Sequence, residues 1–447
     1  MTISFHGASR EVTGANILLE ASGKKIILDC GLFQGYKLAE ERNYSPFAYT
    51  PGTIDAVVVC HAHLDHVGRL PKLVRDGFSG KIFSTAPTKE LTYLVLADNE
   101  KLTREEAKRD NHPPLYKKKE IEEVMNLFTT ISYNEKIEIT QGISLVLKNA
   151  GHILGSAIAE IEAEGKKIAY TSDLGNTPSE LLDPPEFIEE ADFVICESTY
   201  GGRVHENRNE RQQKLAKILN TIITGKGVLM IPSFAIERTQ ELLHDIDHFC
   251  QIENCQKPSF FLDSPLAEKV TQVFKKYPQY LNKEIQREFK NNNFFGLERV
   301  KITSAKEESQ AIFEKPNPKV IIAGSGMLNG GRILHHLINY LGSPANILLI
   351  VGYQSKSTLG RRLLNGEKEV KIFGQKVQVR SQIVAIGSYS AHADSPQIIN
   401  WLKNITGLKN VFIVHGESDQ QLNLARQINL ELHLPSQIPQ QGEKFEL

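Results

Sequence analysis

The chain has 447 residues, 40% of them hydrophobic, with 52 lysines and arginines against 53 aspartates and glutamates. That length suits two or three domains around a large core. The near-zero net charge excludes a protein that finds nucleic acid through a global positive field and leaves only a local basic groove for that task.

No stretch approaches the roughly 18 to 20 apolar residues of a membrane span, and the opening MTISFHGASREVTGANILLE lacks the basic start and apolar core of a secretion signal. A cytoplasmic protein with no membrane partner is expected. The first two hundred residues alternate short β-rich runs, NILLEA, KKIILDC, AVVVC, KIFST, ISLVLKNA, AEIEAEG, KIAYTS and DFVICES, with Gly, Asp and Pro punctuation. They predict a sheet-based sandwich. Within this stretch the charged segment from Thr88 to Leu127 has a helical period, and its KKK run reads as a solvated face.

Cys30, Cys60 and Cys196 end strand-like runs and read as small buried thiols. Only Cys250 and Cys255 are close in sequence, and the odd total of five favours a reducing compartment. From about Glu206 to Ser343 longer helices alternate with strands, as in NRNERQQKLAKILNTIITGKG, VLMIPSF, TQELLHDIDHF, KVIIAG and GRILHHLINYL. This is the texture of a doubly wound α/β insert. ANILLIVGY, KIFGQKVQVRSQIVAIG, a helix around SPQIINWLKN and the strand NVFIVHG then resemble the opening again. The expected boundaries are 1–205, 206–345 for the insert, and 346–447 for the return to the first domain.

The chemistry starts at His61-Ala-His63-Leu-Asp65-His66, which follows the buried strand TIDAVVVC and falls on a tight loop at its end. Imidazole and carboxylate donors packed so closely suit zinc. A satisfied core histidine accounts for one such residue, not for four together. Two later strand ends offer further ligands, His152 in NAGHILGSA and Asp173 in AYTSDLGN, although either alone reads as turn chemistry or a cap. Asp29, closing KKIILDCGLFQG, is placed behind the ligands, holding a histidine's second nitrogen. KVIIAGSGMLNGGRILHHL reads as strand, glycine loop and helix, whose free N–H groups suit a phosphate, with Ser325 and Gly326 as candidate contacts; its glycines do not match a dinucleotide fingerprint.

The LDCG, HAHLDH, GHILGS and SDLG segments, followed by CESTYG with Glu197, SAHAD with His392 and IVHGE with His415, resemble the β-CASP nucleases of the metallo-β-lactamase superfamily across essentially the whole chain. The resemblance implies an αββα sandwich with an inserted β-CASP domain. It implies two Zn2+, with Mn2+ as the alternative: one held by His61, His63 and His152, a second by Asp65, His66 and His415, and Asp173 bridging them. It further implies a two-metal hydroxide attack on phosphorus, with His392 as general acid oriented by Glu197. Independently of the family, Asp394 reads as the cap of the helix SPQIINWLKN.

His415 is kept by RNA-processing members of the family. The resemblance therefore implies a compact prokaryotic relative of the pre-mRNA 3′-end endonuclease, cutting single-stranded RNA to a 5′-phosphate and a 3′-hydroxyl, and leaves a homodimer open. The alternatives are a 5′-to-3′ exoribonuclease sharing the same site and a small-molecule hydrolase of the same fold, which needs no such insert. An oxygen reductase with a glutamate where this chain has His63, and an inactive scaffold, which would have lost ligands, fit less well. Two residues depart from the family pattern: Ser172 replaces a glycine often seen before the bridging aspartate, and Glu237 replaces one before Arg238.

Overall fold

Each apolar run read as a strand in the first two hundred residues is a strand in the computed structural model, which describes residues 1–35, 41–110, 113–206, 208–252, 258–290, 299–355 and 358–447. Cys255 lies outside the described residues. The chain divides into two units, Met1–Val204 with His392–Leu447, and His205–Ala391.

In the first unit the strands are β1 (Thr2–Phe5), β2 (Ile17–Ala21), β3 (Lys24–Leu28), β4 (Ala56–Val58), β5 (Lys81–Ser84), β6 (Phe128–Thr130), β7 (Ile137–Thr140), β8 (Ile143–Asn149), β9 (Ala157–Ala163), β10 (Lys166–Tyr170) and β11 (Phe193–Cys196). The second unit holds β12 (Val228–Pro232), β13 (Ser259–Asp263), β14 (Val300–Ile302), β15 (Lys319–Ala323), β16 (Ile347–Ile350), β17 (Glu369–Ile372), β18 (Gln375–Gln378) and β19 (Gln382–Ala385). The first unit then regains β20 (Asn410–Ile413), β21 (Ser436–Gln437) and β22 (Lys444–Glu446).

Two sheets form the first unit, in the orders β22-β1-β2-β3-β4-β5-β6 and β21-β20-β11-β10-β9-β8-β7. Period-2 alternation sorts their side chains. Ile26 and Leu28 of β3, Ile168 and Tyr170 of β10, and Phe412 of β20 share the core between the sheets. Their neighbours point outward: Ile27 and Val57 pack with Leu73, Ile121 and Val124 from flanking helices, while Ala169, Val194 and Val411 pack with Ile398, Trp401 and Leu402. The unit is thus four layers, helix-sheet-sheet-helix. Burial of both faces accounts for the nearly unbroken apolar runs. The KKK run is a solvated helix face: Lys118 and Lys119 are exposed and pair with Glu122 and Glu123 one turn on.

The second unit is built on a parallel sheet in the order β14-β13-β15-β12-β16-β19, with a separate β17–β18 hairpin. This corrects the expected boundary at residue 346. ANILLIVGY supplies β16, whose Ile347 and Leu348 register against Leu229 and Met230 of β12, and SQIVAIG supplies β19 beside it. The second unit therefore runs to Ala391, and the return to the first unit holds the helices Ser395–Lys403 and Ser418–Gln427 with the later strands. An apolar run looks the same whichever sheet it joins, because local periodicity carries no record of the pairing partner. Among the described residues no helix is long and apolar enough to cross a membrane.

Candidate metal centre

Six of the seven polar motifs leave strand ends of the first unit, and the seventh, SAHAD, runs into the helix Ser395–Lys403. β3 and β4 are parallel in one sheet, and β10, β11 and β20 are parallel in the other; functional groups collect at the carboxyl ends of such strands. Asp29 follows β3, His61 follows β4, Asp173 follows β10, Glu197 follows β11 and His415 follows β20, while His152 sits in the turn between β8 and β9. His63 precedes the short helix Leu64–Val67, which carries Asp65 and His66. The turn at His152 is tied by the Ser156 hydroxyl, which accepts from the backbone N–H of His152 and of Ile153.

Close packing sets the backbone here. A Cβ on Gly31 would lie 1.5 Å from the Asp65 carbonyl oxygen, so only glycine lets the LDCG loop pass under the ligand loop. Asp29, Ser172 and His415 take left-handed φ values of 56°, 49° and 49°. Such values cost a residue with a Cβ of the order of 1 kcal/mol and cluster at functional sites.

The seven expected ligands fall into two groups that share Asp173. His61, His63, His152 and Asp173 bring one donor atom each within 4.8 Å of one another, and so do Asp65, His66 and His415. Asp173 Oδ2 faces the first group, 3.3 Å from His61 Nε2 and 3.5 Å from His152 Nε2, and His152 Nε2 is 3.3 Å from His63 Nδ1. Asp173 Oδ1 faces the second, 3.4 Å from His66 Nε2. There His415 Nε2 lies 3.3 Å from His66 Nε2 and 3.4 Å from Asp65 Oδ2.

These spacings fit a metal. Donors about 2.0 to 2.1 Å from a tetrahedral ion lie roughly 3.3 to 3.4 Å from each other. His61 Nε2 and Asp173 Oδ1 are buried without a hydrogen-bond partner among the described residues, a cost that an ion removes. The donor set of imidazole nitrogen and carboxylate oxygen, with no sulfur, suits zinc and accommodates manganese.

Asp29 lies behind the donor groups and contacts the far side of one of them. Its Oδ2 accepts from His66 Nδ1 at 2.7 Å and from the Tyr170 hydroxyl at 2.8 Å, while Oδ1 accepts the Cys60 N–H at 2.9 Å. Beside the ligands, His392 Nδ1 lies 3.0 and 3.1 Å from the two oxygens of Glu197. Glu197 is fully buried and also accepts the backbone N–H of Leu174 and Thr199. Asp394 caps Ser395–Lys403 through the Gln397 N–H, so one short stretch supplies both a helix start and His392.

Burial pushes the imidazoles of His61, His63, His66, His392 and His415 towards neutrality, and the carboxylates decide which resist. It holds His61 well below the ordinary value, helped by His66 and His63, and takes His63 to about 4 against the pull of Asp65. Burial opposes but does not prevent an upward shift at His392, where Glu197 and then Asp173 raise the ring, and at His415, where Asp173 and Asp65 lift it to about 10.

Ser325 and Gly326 belong to the second unit, on the loop that leaves β15, where the Ser325 hydroxyl donates to the Gly330 carbonyl. Sequence reasoning missed three hydroxyls around the centre. Tyr170 and Ser172 reach Asp29, and Thr199 meets His415 Nδ1 at 3.1 Å. Tyr170 carried a signal: a tyrosine ending a buried strand needs a partner for its hydroxyl.

The chain matches three families in order: a metallo-beta-lactamase superfamily domain over residues 18–197, a Beta-Casp domain over 239–363, and a Zn-dependent metallo-hydrolase RNA specificity domain over 376–439. It is similar to "Ribonuclease TTHA0252" of Thermus thermophilus, 37% identical over 96% of each chain, and to an "RNase J-like protein" of Methanocaldococcus jannaschii, 32% identical over 98% of each. "Integrator complex subunit 11" of Gallus gallus is 28% identical, over 98% of this chain and 72% of its own. A crystal structure of a protein of unknown function from Enterococcus faecalis shares the fold, with a TM-score of 0.55 at 12% identity, over 100% of this chain and 99% of that one. Three domain matches in sequence order, and full-length identity above 30%, make the chain a member of the β-CASP family of the metallo-β-lactamase superfamily.

Proposed function

We propose that the chain is a metal-dependent ribonuclease that hydrolyses phosphodiester bonds within single-stranded RNA, leaving a 5′-phosphate and a 3′-hydroxyl. The observation that carries the reading is Asp173, whose two carboxylate oxygens face separate donor sets beside the His392–Glu197 pair. His61, His63, His152 and Asp173 would hold one Zn2+, and Asp65, His66, His415 and Asp173 the other, with Mn2+ as the substitute. When bound, such a pair neutralises phosphate charge and makes water a competent nucleophile at neutral pH.

The chain's own groups do the rest. Asp29 fixes the His66 ring by accepting its Nδ1–H, so that Nε2 is turned to the donor set. Glu197 occupies His392 Nδ1 and favours the protonated ring, leaving Nε2 to hand a proton to the departing 3′ oxygen. His392 is 16% exposed while Glu197 behind it is fully buried, so the proton donor faces the solvent side of its carboxylate. RNA as substrate is supported by the RNA specificity match and by the relatives whose names state ribonuclease activity. Ser325 and Gly326 are proposed as phosphate contacts, and Ser325→Ala is expected to raise KM with kcat unchanged. The free buried thiols Cys30, Cys60 and Cys196 support action in a reducing cytoplasm.

The test is incubation of the zinc-loaded chain with internally labelled and 5′-labelled RNA beside DNA of the same sequence. Internal fragments from RNA alone support the proposal. A mononucleotide ladder from the 5′ end identifies the exonuclease instead, and intact RNA and DNA leave the small-molecule hydrolase.

A further inference from the structure

Ser172 stands between β10 and Asp173, buried, at a φ of 49° that favours glycine. Its Oγ is 3.1 Å from His61 Nδ1, 3.0 Å from Asp29 Oδ2 and 3.2 Å from His66 Nδ1. These contacts have a forced direction. His61 turns Nε2 towards Asp173 Oδ2. A neutral imidazole that offers Nε2 to an ion carries its proton on Nδ1, and the acceptor there is the Ser172 oxygen. The hydroxyl proton then points to Asp29 Oδ2, the carboxylate oxygen within reach. That same oxygen already takes the Nδ1–H of His66.

We infer that Ser172 is a positioning residue for the metal centre: its hydroxyl extends the Asp29 carboxylate to His61, so one buried acid orients an imidazole from each donor set. The inference rests on the proposal above that His61 and His66 are metal ligands. Asp29 alone serves His66 directly, and Ser172 supplies the missing link to the other set. In the metal-free chain the tautomer is not fixed, because His61 can instead carry its proton on Nε2, 3.3 Å from Asp173 Oδ2 but not hydrogen-bonded to it. Ion binding takes that nitrogen, moves the proton to Nδ1 and makes Ser172 necessary.

The two states therefore respond in opposite senses to Ser172→Gly. Glycine removes the Cβ from a left-handed backbone, so the metal-free chain melts at the same or a higher temperature. One of the two stepwise Zn2+ affinities falls by about tenfold to a hundredfold, the usual effect of losing a ligand's supporting hydrogen bond. The other stays within about threefold. Ser172→Ala loses the same affinity without the gain in melting temperature, because it keeps the Cβ.

The experiment is competition for Zn2+ between a chromophoric chelator and the full chain, wild type and both variants, with thermal melts of the chelator-stripped proteins. Loss of one affinity in both variants, with no fall in the metal-free melting temperature of Ser172→Gly, supports the role. Affinities equal to wild type in both variants overturn it, and so does a loss confined to Ser172→Gly, which would place the effect in the backbone. A wild-type chain that takes up no Zn2+ overturns the metal reading and this inference together; two ions bound with the same affinities by wild type and both variants overturn this inference alone.

Discussion

Replacing Glu197 with glutamine separates the proton-donor pair from the metal centre. Glu197 is fully buried, accepts from Leu174 N at 2.8 Å and Thr199 N at 3.2 Å, and shares the His392 Nδ1 proton between its oxygens. Glutamine keeps the shape but has one acceptor oxygen, so one backbone N–H faces an amide NH2, at a cost of about 1 to 3 kcal/mol in stability. The larger effect is on His392. Burial pulls that ring below its ordinary 6.5, and Glu197 is the strongest group raising it; Asp173 comes second, and ions bound to Asp173 would cancel its share. Without the carboxylate the ring falls back to or below 6.5, and at about pH 7.5 no more than roughly a tenth of the molecules keep the proton. kcat for RNA cleavage should drop about tenfold or more there and recover on acidification, because protonation restores the same donor. His392→Ala should lose a hundredfold or more at every pH, with no recovery. The assay is kcat against pH from about 5.5 to 9 at saturating RNA, with metal content measured alongside. An alkaline limb at the same pH in wild type and Glu197→Gln, with both ions bound in each, refutes the assignment.

Other consequences follow from the same geometry. Asp173→Asn leaves a neutral amide between the two donor sets, so both ions should bind more weakly and RNA cleavage fall about a thousandfold; metal analysis that still finds two ions per chain contradicts the bridge. In the metal-free chain burial lowers the His415 pKa, but Asp173 and Asp65 raise it from 6.5 to about 10. The proton therefore competes with the ion across neutral pH, and metal affinity should climb with pH until it nears that value. The same shift makes His415 stabilise the metal-free fold fully below 6.5, a contribution lost as pH rises through about 10. Calorimetry in buffers of different ionisation enthalpy should find at least one proton released per chain on loading at about pH 8, and zero release contradicts the account. Gly31→Ala forces a Cβ to 1.5 Å from the Asp65 carbonyl oxygen and should destabilise the metal-free chain by about 3 kcal/mol, read as a lower melting temperature.

The donor cluster was legible because metal chemistry restricts residue type: few arrangements other than a metal loop place three imidazoles and a carboxylate within six residues after a buried strand. The sandwich was legible because its strands, buried on both faces, keep apolar runs between sharp turns. β1 (TISF) and β7 (IEIT) escaped notice for the opposite reason, since four residues give period-2 alternation no length in which to show. The end of the second unit was hidden differently. ANILLIVGY is as apolar as any strand of the first unit, and only its register against β12 says which sheet it joins.

Backbone conformation makes both departures from the resembled pattern costly, and contacts account for one of them. Ser172 and Glu237 both take positive φ, 49° and 64°. Glycine is the low-cost residue at such positions, so a side chain there persists only if its contacts offset the strain. For Ser172 the hydroxyl meets His61, His66 and Asp29 at 3.0 to 3.2 Å in a buried pocket. In the sequence, Ser172 is only a departure from the family pattern before Asp173. In three dimensions the same serine joins the imidazole supports of the two donor sets, and the strain of its backbone is the reason to look for what it holds.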